Sequence, residues 1–178
     1  MTAHASQTLS DREGAFRSAM RVTAASVSLL TCRDTAGSFQ GMAVTSAASL
    51  SMAPPSMMVA VNRTASSWAT VRETGLFCIN LLAQSHVELV EHFCRSENRT
   101  TRFQTPDWTV GHRGLPHLGT ALASIFCEVA AAHDFATHTV FFGRVLSAHA
   151  DPLDERMPLI WLHGGPLPLS DLDAEDFR

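Results

Sequence analysis

The sequence predicts a mainly β fold with short helices, an antiparallel barrel with helical covers. Six or seven runs read as strands and only three short ones as helices. The strands follow one another without a helix between each pair, which disfavours a doubly wound parallel sheet and suits an antiparallel barrel. The chain of 178 residues, 46% hydrophobic and 17% charged, is long and apolar enough for one domain with a proper core. The expected division is a flexible tail over 1–9, one domain over 10–170 and an acidic tail over 171–178.

Each element has its own signal. Ser10 and Glu13 have capping-box spacing, and Ala15, Phe16, Ala19 and Met20 then share a face, so a short helix is expected to cover one end of a sheet. Ala25 to Cys32 reads as a strand. Asp34 and Gly37 mark a turn, and Phe39 to Thr45 returns as the second strand of a hairpin. Pro54-Pro55 ends the following loop. Met57 to Val61 is apolar without alternation, so burial on both faces is expected. A helix over 66–74 stops at Gly75. Leu76 to Leu82 is a buried strand. Ser85 and Glu88 form a second capping box, opening a helix to about Cys94 with Val87, Val90 and Cys94 on one face. Arg95 to Gly119 is polar and irregular, and a loop of that length is commonly functional. Leu122 to Ala132 and His138 to Ala148 are two long strands, and Leu159 to Leu162 is a last short one.

Composition excludes several chemistries. The net charge is -4 and no Lys/Arg-rich run offsets it, which argues against a nucleic-acid partner. The cysteines Cys32, Cys78, Cys94 and Cys127 form no C-x-x-C pair, and the first, second and fourth sit in apolar runs as small hydrophobes. Nine histidines hold no H-E-x-x-H; His86 and His92 fall on different helix faces, and His112 and His117 have no third ligand nearby, so no metal site is expected. There is no G-x-S-x-G, no P-loop and no G-x-G-x-x-G after a strand. The N-terminal residues hold no apolar segment of leader type, and no run reaches the roughly 20 apolar residues of a membrane helix. A cytoplasmic protein with reduced thiols and no membrane contact is the expectation.

One stretch carries chemistry, Gln40 to Ser67. Thr45, Ser46, Ser49 and Ser51 precede the Met57–Val61 strand, and Asn62, Arg63, Thr64, Ser66 and Ser67 follow it. Small hydroxyls let a ligand approach the backbone. Arg63 is a fixed cation suited to phosphate, and a helix opening near Ser66 aims free N–H groups at an anion. The stretch therefore reads as a cradle for a phosphorylated planar cofactor; a Ser/Thr-rich turn capping a strand and a helix has the same composition. His138 opens a strand after a polar turn, within reach of a ligand, and is the one candidate catalytic side chain. Arg102-Phe103 pairs a cation with an aromatic face that could clamp a planar ring.

These residues resemble the short-chain flavin reductase family, the reductase components of two-component flavin-dependent monooxygenases of the 4-hydroxyphenylacetate hydroxylase reductase type. The segments that carry the resemblance are FRSAM at Phe16, the GMAVTSAASLSMAPPSMMVAVNRTASS block, GLFCINLLA from Gly75, RF at Arg102 and THTVFFGRV from Thr137. They span about Phe16 to Leu162. The resemblance implies a split β-barrel, a homodimer, and FMN or FAD reduced by NADH or NADPH, then released to diffuse to a partner monooxygenase. It implies Thr45, Ser46, Ala47 and Ala48 along the flavin ring, and Asn62, Arg63, Ser66 and Ser67 at the ribityl phosphate. It puts Arg102 and Phe103 over the cofactor and His138 on the nicotinamide side. Two departures stand out. Ala47 replaces the bulky residue of many relatives, which implies a wider pocket. The segment WLHGGPLPL, with His163-Gly164-Gly165-Pro166, replaces an aromatic-rich R-x-Y-H-like stretch and leaves NADH against NADPH open. A non-catalytic flavin- or haem-binding split-barrel protein is the alternative.

Overall fold

The structure is a computed structural model; residues 8–150 and 155–168 are described. Its elements are α1 (Leu9–Arg21), β1 (Ala25–Ser26), β2 (Ser28–Arg33), β3 (Phe39–Val44), β4 (Ala48–Met52), β5 (Pro55–Asn62), α2 (Ser66–Thr74), β6 (Leu76–Leu81), α3 (Val87–Cys94), β7 (Trp108–Val110), β8 (Pro116–Leu118), β9 (Ala123–Phe135), β10 (His138–Ala150), β11 (Ile160–Leu162) and β12 (Gly165–Pro166). Seven of the strands form one sheet in the order β3-β2-β6-β9-β10-β5-β4, every neighbouring pair antiparallel. Small sheets β1-β11-β12 and β7-β8 flank it.

The chain connectivity forces this sheet to curl. Its two edge strands, β3 and β4, are consecutive in the chain and joined only by Thr45, Ser46 and Ala47. Seven strands laid flat would put those edges about 29 Å apart at the usual strand spacing. A three-residue link reaches only about 10 Å. The edges must therefore approach each other without pairing, and the result is a barrel split between β3 and β4. Ser46 ties the link to β5, continuing the β4–β5 register: its hydroxyl donates to Ala60 O at 2.9 Å and accepts from Ala60 N–H at 3.2 Å. The barrel interior follows from the same closure. Leu30, Cys32, Val44, Val59, Val61, Phe77, Ile79, Cys127 and Phe141, drawn from six of the seven strands, form one buried cluster that Val71 of α2 joins. Burial pushes the thiols of Cys32 and Cys127 up to about 12, and that of Cys78 higher still, so all three are inert apolar filler. A second cluster lies outside the barrel, where Leu29, Val90, Phe93, Leu118 and Leu159 pack together.

Several expectations are corrected. β5 alternates after all: Met57, Val59 and Val61 are buried while Met58 is 36% exposed, because the strand has the barrel on one side only. The serine-rich segment before Pro54 is an edge strand, β4, not a loop; its small residues carry little β signal. The first helix is capped by Thr8 and Asp11 rather than Ser10 and Glu13, since Thr8 Oγ1 accepts from Asp11 N–H and Asp11 bonds back. None of its residues is buried, so α1 does not cover the sheet. Ser85 does not cap α3; a 3-10 turn precedes it and His86 Nδ1 accepts from Ala83 N–H at 3.0 Å instead. Cys94 ends α3 exposed. The long polar segment after α3 contains the β7-β8 pair, anchored where Asn80 Oδ1 accepts from Leu118 N–H at 2.9 Å. Of the expected tails, residues 1–7 and all of 171–178 lie outside the described residues.

Candidate functional site

The split gathers most of the predicted residues. Thr45, Ser46 and Ala47 form the link across it and Ala48 begins β4 opposite Met58. Ser46 is bonded to Ala60, and two residues further along β5 is Asn62, which stands across from His138 on β10. Arg63 follows, and α2 opens three residues later. One end of the sheet thus brings together the hydroxyl-rich link, the end of β5, the start of β10 and a helix N-terminus.

Local chemistry fixes each piece. Asn62 Oδ1 accepts from both Thr64 N–H (3.0 Å) and the Thr64 hydroxyl (2.9 Å), and Ala65 N–H bonds back to Asn62 O. That turn delivers the chain into α2 with Ala65 at its N-cap, where no side chain can cap. The first N–H groups of α2 are therefore unsatisfied by a side chain, and the helix dipole adds positive potential. Ser67, in this first turn, is 1% exposed and its hydroxyl has no partner. A buried hydroxyl without a partner beside an uncapped helix start leaves hydrogen-bonding capacity unused at this end of α2. Arg63 is anchored nearby: its N–H donates to Thr137 O at 3.0 Å and its guanidinium to Ala136 O, in the β9–β10 turn. Ala136 holds φ +47 there, a conformation an alanine resists without such support.

Residues not singled out in the sequence hold α2 in place. Trp68 Nε1 donates to Thr139 Oγ1 at 2.8 Å, and Thr139 donates to Asp134 at 2.7 Å. Asp134 also faces Arg72 of α2 at 3.7 Å. The Thr139 hydroxyl, with Arg72, Arg63 and His133, holds the Asp134 carboxyl below its usual range. This relay pins the first turn of α2 to the start of β10, and a conspicuous Trp two residues past Ser66 was the one sequence signal for it. His138 itself is exposed and bonded to Thr137 Oγ1 at 2.9 Å, and its register sets it across from Asn62, at the end of the sheet where α2 opens.

Arg102 and Phe103 have a different job from the closure expected of them. Arg102 is 8% exposed and gives its guanidinium to three backbone carbonyls: Gly41 at 3.0 Å, Phe93 at 2.6 Å and Arg95 at 3.0 Å. Phe103 packs edge-on against Phe39, Phe93 and Trp108 at centroid distances of 4.8–5.6 Å. The pair ties the C-terminal end of α3 to β3. Beside Thr45 lies an apolar cavity of about 250 Å³, lined by Val27, Val44, Val90, Cys94 and Trp161. Composition gave no hint of it, because its walls come from five separate elements or links.

No cluster of three or more His, Cys, Asp or Glu able to hold a metal occurs among the described residues. The residues present fit a phosphorylated planar group: an uncapped helix start with a partnerless hydroxyl for the anion, and the small side chains of Ala47 and Ala48 for close approach of a ring to the backbone of the link.

Comparison with known proteins bears on the same segment. The profile of the "Flavin reductase like domain" matches residues 20–170. The chain is 34% identical over 151 residues, 85% of this chain and 86% of the relative, to an FMN reductase (NADH), RutF, of Agrobacterium fabrum. It is 33% identical over 84% of this chain to the reductase subunit HsaB of a flavin-dependent monooxygenase of Rhodococcus jostii, 74% of which is covered. Among solved structures, nitrilotriacetate monooxygenase component B of Mycobacterium thermoresistibile superposes with a TM-score of 0.82 at 25% identity, covering 93% of this chain and 92% of that one.

Proposed function

The chain belongs to the family of flavin reductase-like domains and is an NAD(P)H-dependent flavin reductase, and from that premise we propose how its residues divide the work. The N-terminus of α2 with Ser66 and Ser67, flanked by Arg63 and the free amide of Asn62, holds the flavin phosphate. The link Thr45–Ala48 runs along the flavin ring. The observation that carries this reading is the partnerless Ser67 hydroxyl at a helix start that no side chain caps.

Flavin, when bound, supplies the ring that accepts hydride from a reduced nicotinamide. The chain's own task is positional, since no side-chain acid or base is needed for hydride transfer. Ala47 and Ala48 leave the backbone of the link accessible, so its N–H groups can meet charge that grows on the ring. Ser46 cannot serve as a donor to ligand, because its hydroxyl is spent on Ala60; it fixes the link to β5 instead. The apolar cavity beside Thr45 excludes water from the face where the donor's ring would lie. His138, at the anion end, contributes to the phosphate rather than to proton transfer. Arg102 and Phe103 act at a distance, by fixing the α3 wall of that cavity against β3.

The reduced flavin is passed to a partner monooxygenase, in keeping with the names of relatives that are monooxygenase reductase subunits. A homodimer is part of the same proposal: Phe16 of α1 is 66% exposed, an apolar side chain that no described element covers. The test is to mix the protein with NADH and free FMN, then FAD, and follow the nicotinamide band. Oxidation that requires added flavin is expected, and the two rates rank the flavins. No oxidation with either flavin, by NADH or NADPH, overturns the assignment and favours a non-catalytic binding protein.

A further inference from the structure

We propose that the phosphate-bearing part of the hydride donor is gripped at a second cavity, by Arg17, Arg21 and His163, on the other side of Trp161. The proposal rests on the reductase reading above and names where that reaction's donor is held.

Two cavities share Trp161 as a wall. One is the apolar cavity beside Thr45. The other, of about 240 Å³, is lined by Arg17, Met20, Arg21, Leu162 and His163. Neither lining contains an acidic side chain. A dinucleotide needs this division: an apolar slot for its ring, then cations for its phosphates. Arg17 and Arg21 are one helical turn apart and share a face of α1. The chain as a whole is acidic, at -4, so this pair is not part of a generally basic surface.

The geometry of the β11–β12 turn supports the assignment. His163 (φ +53) and Gly164 (φ +86) are its two central residues, both left-handed, the type I′ pattern that favours Asn and Gly. A histidine there is held by Arg21, whose guanidinium donates to His163 O at 2.6 Å while His163 N–H donates to Arg21 O at 2.8 Å. The Arg21 guanidinium lies against Gly164, in van der Waals range of where a Cβ would stand. Arg21 is thus fixed, and so is the backbone from which the exposed imidazole of His163 projects. Arg17 has no hydrogen bond or ion pair among the described residues, so its guanidinium remains for a ligand. The strained turn and the available cation border one cavity, and strain of this kind is retained where a site uses it.

Phosphate is the shared chemistry, and it has three sources: the pyrophosphate of NADH and NADPH, the 2′-phosphate of NADPH alone, and the flavin's own phosphate. Arg17→Ala and Arg17→Glu separate them. NAD+ and NADP+ binding is read by quenching of tryptophan fluorescence, and steady-state kinetics are run with NADH and FMN. In Arg17→Ala we expect NAD+ affinity to fall about fivefold to tenfold, the loss of one charge-assisted contact. The NADH KM rises in step, and kcat and the FMN KM stay within about twofold. Arg17→Glu falls further. Loss confined to NADP+ assigns the grip to the 2′-phosphate and also supports the proposal. Unchanged NAD+ and NADP+ affinity in both variants overturns it, as does a rise in the FMN KM alone. A wild-type protein that binds NAD+ in an Arg17-dependent way yet oxidises no NADH with flavin would sink the reductase reading and leave this site standing.

Discussion

Replacing Arg102 with Met separates a structural role from a ligand-binding one. The side chain reaches three backbone carbonyls, those of Gly41, Phe93 and Arg95, and lies 5.3 Å from the centre of the Phe93 ring. Burial lowers its pKa, but a guanidinium stays charged at neutral pH, so each bond is charge-assisted. Such bonds are worth about 1.5–3 kcal/mol each. The three are not additive, because water reaches part of the site once the side chain is shortened; buried carbonyls left without a donor cost about 1–3 kcal/mol apiece, so a total of roughly 3–5 kcal/mol is expected. That is a large share of the roughly 5–15 kcal/mol that stabilises a domain. At about 2–4 °C per kcal/mol for a chain of this size, the melting temperature should drop by roughly 6–20 °C. Thermal unfolding followed by circular dichroism reads the drop, and the flavin KM of the surviving folded enzyme is measured beside it. We expect the lower melting temperature with a flavin KM near that of wild type, because the guanidinium faces carbonyls and not the cradle. A melting temperature within about 2 °C of wild type, joined to a strongly raised flavin KM, would refute the reasoning and return Arg102 to the ligand.

Two further outcomes follow from the structure. Gly143 sits where a Cβ would come within 2.5 Å of Phe77 and 2.9 Å of Cys127 inside the barrel, so Gly143→Ala should cost about 1–3 kcal/mol in a denaturant titration; a stable, unshifted variant would show that Phe77 has room to yield. His86 accepts from Ala83 N–H only when Nδ1 is unprotonated, and burial, then Arg156, lower its pKa, with Asp107 opposing. The unfolded chain therefore takes up the proton first as pH falls, and the stability present above about pH 6.5 is lost below it. His117, lowered by burial and by His149, adds with the same sign. The melting temperature should fall between about pH 7 and pH 5, and His86→Asn, which keeps an acceptor, should flatten that slope; an identical slope would remove His86 as a cause.

Features set by residue type and local order were legible early. Gly75 ended α2 because only a residue easy in the left-handed region closes a helix there, and it has φ +69. Asn62, Arg63, Ser66 and Ser67 could be read as an anion cradle because a strand end, a turn and a helix start are local events. The RF pair misled for the converse reason: a cation beside an aromatic has many uses, and Arg102 chose carbonyls 61, 9 and 7 residues away. Thr45 and Trp161 line one cavity although they are remote in sequence, which no spacing could have shown.

The chain alone therefore determined most of the order of strands and helices, through β-forming runs and glycine, while the caps of α1 and α3 and the edge strand β4 escaped it. Only the tertiary structure decided that β3 and β4 are the edges of one sheet. Because three residues must span those edges, the barrel splits at Thr45–Ala47, and Thr45 of the link comes to line a cavity with Trp161 instead of sitting in an ordinary turn.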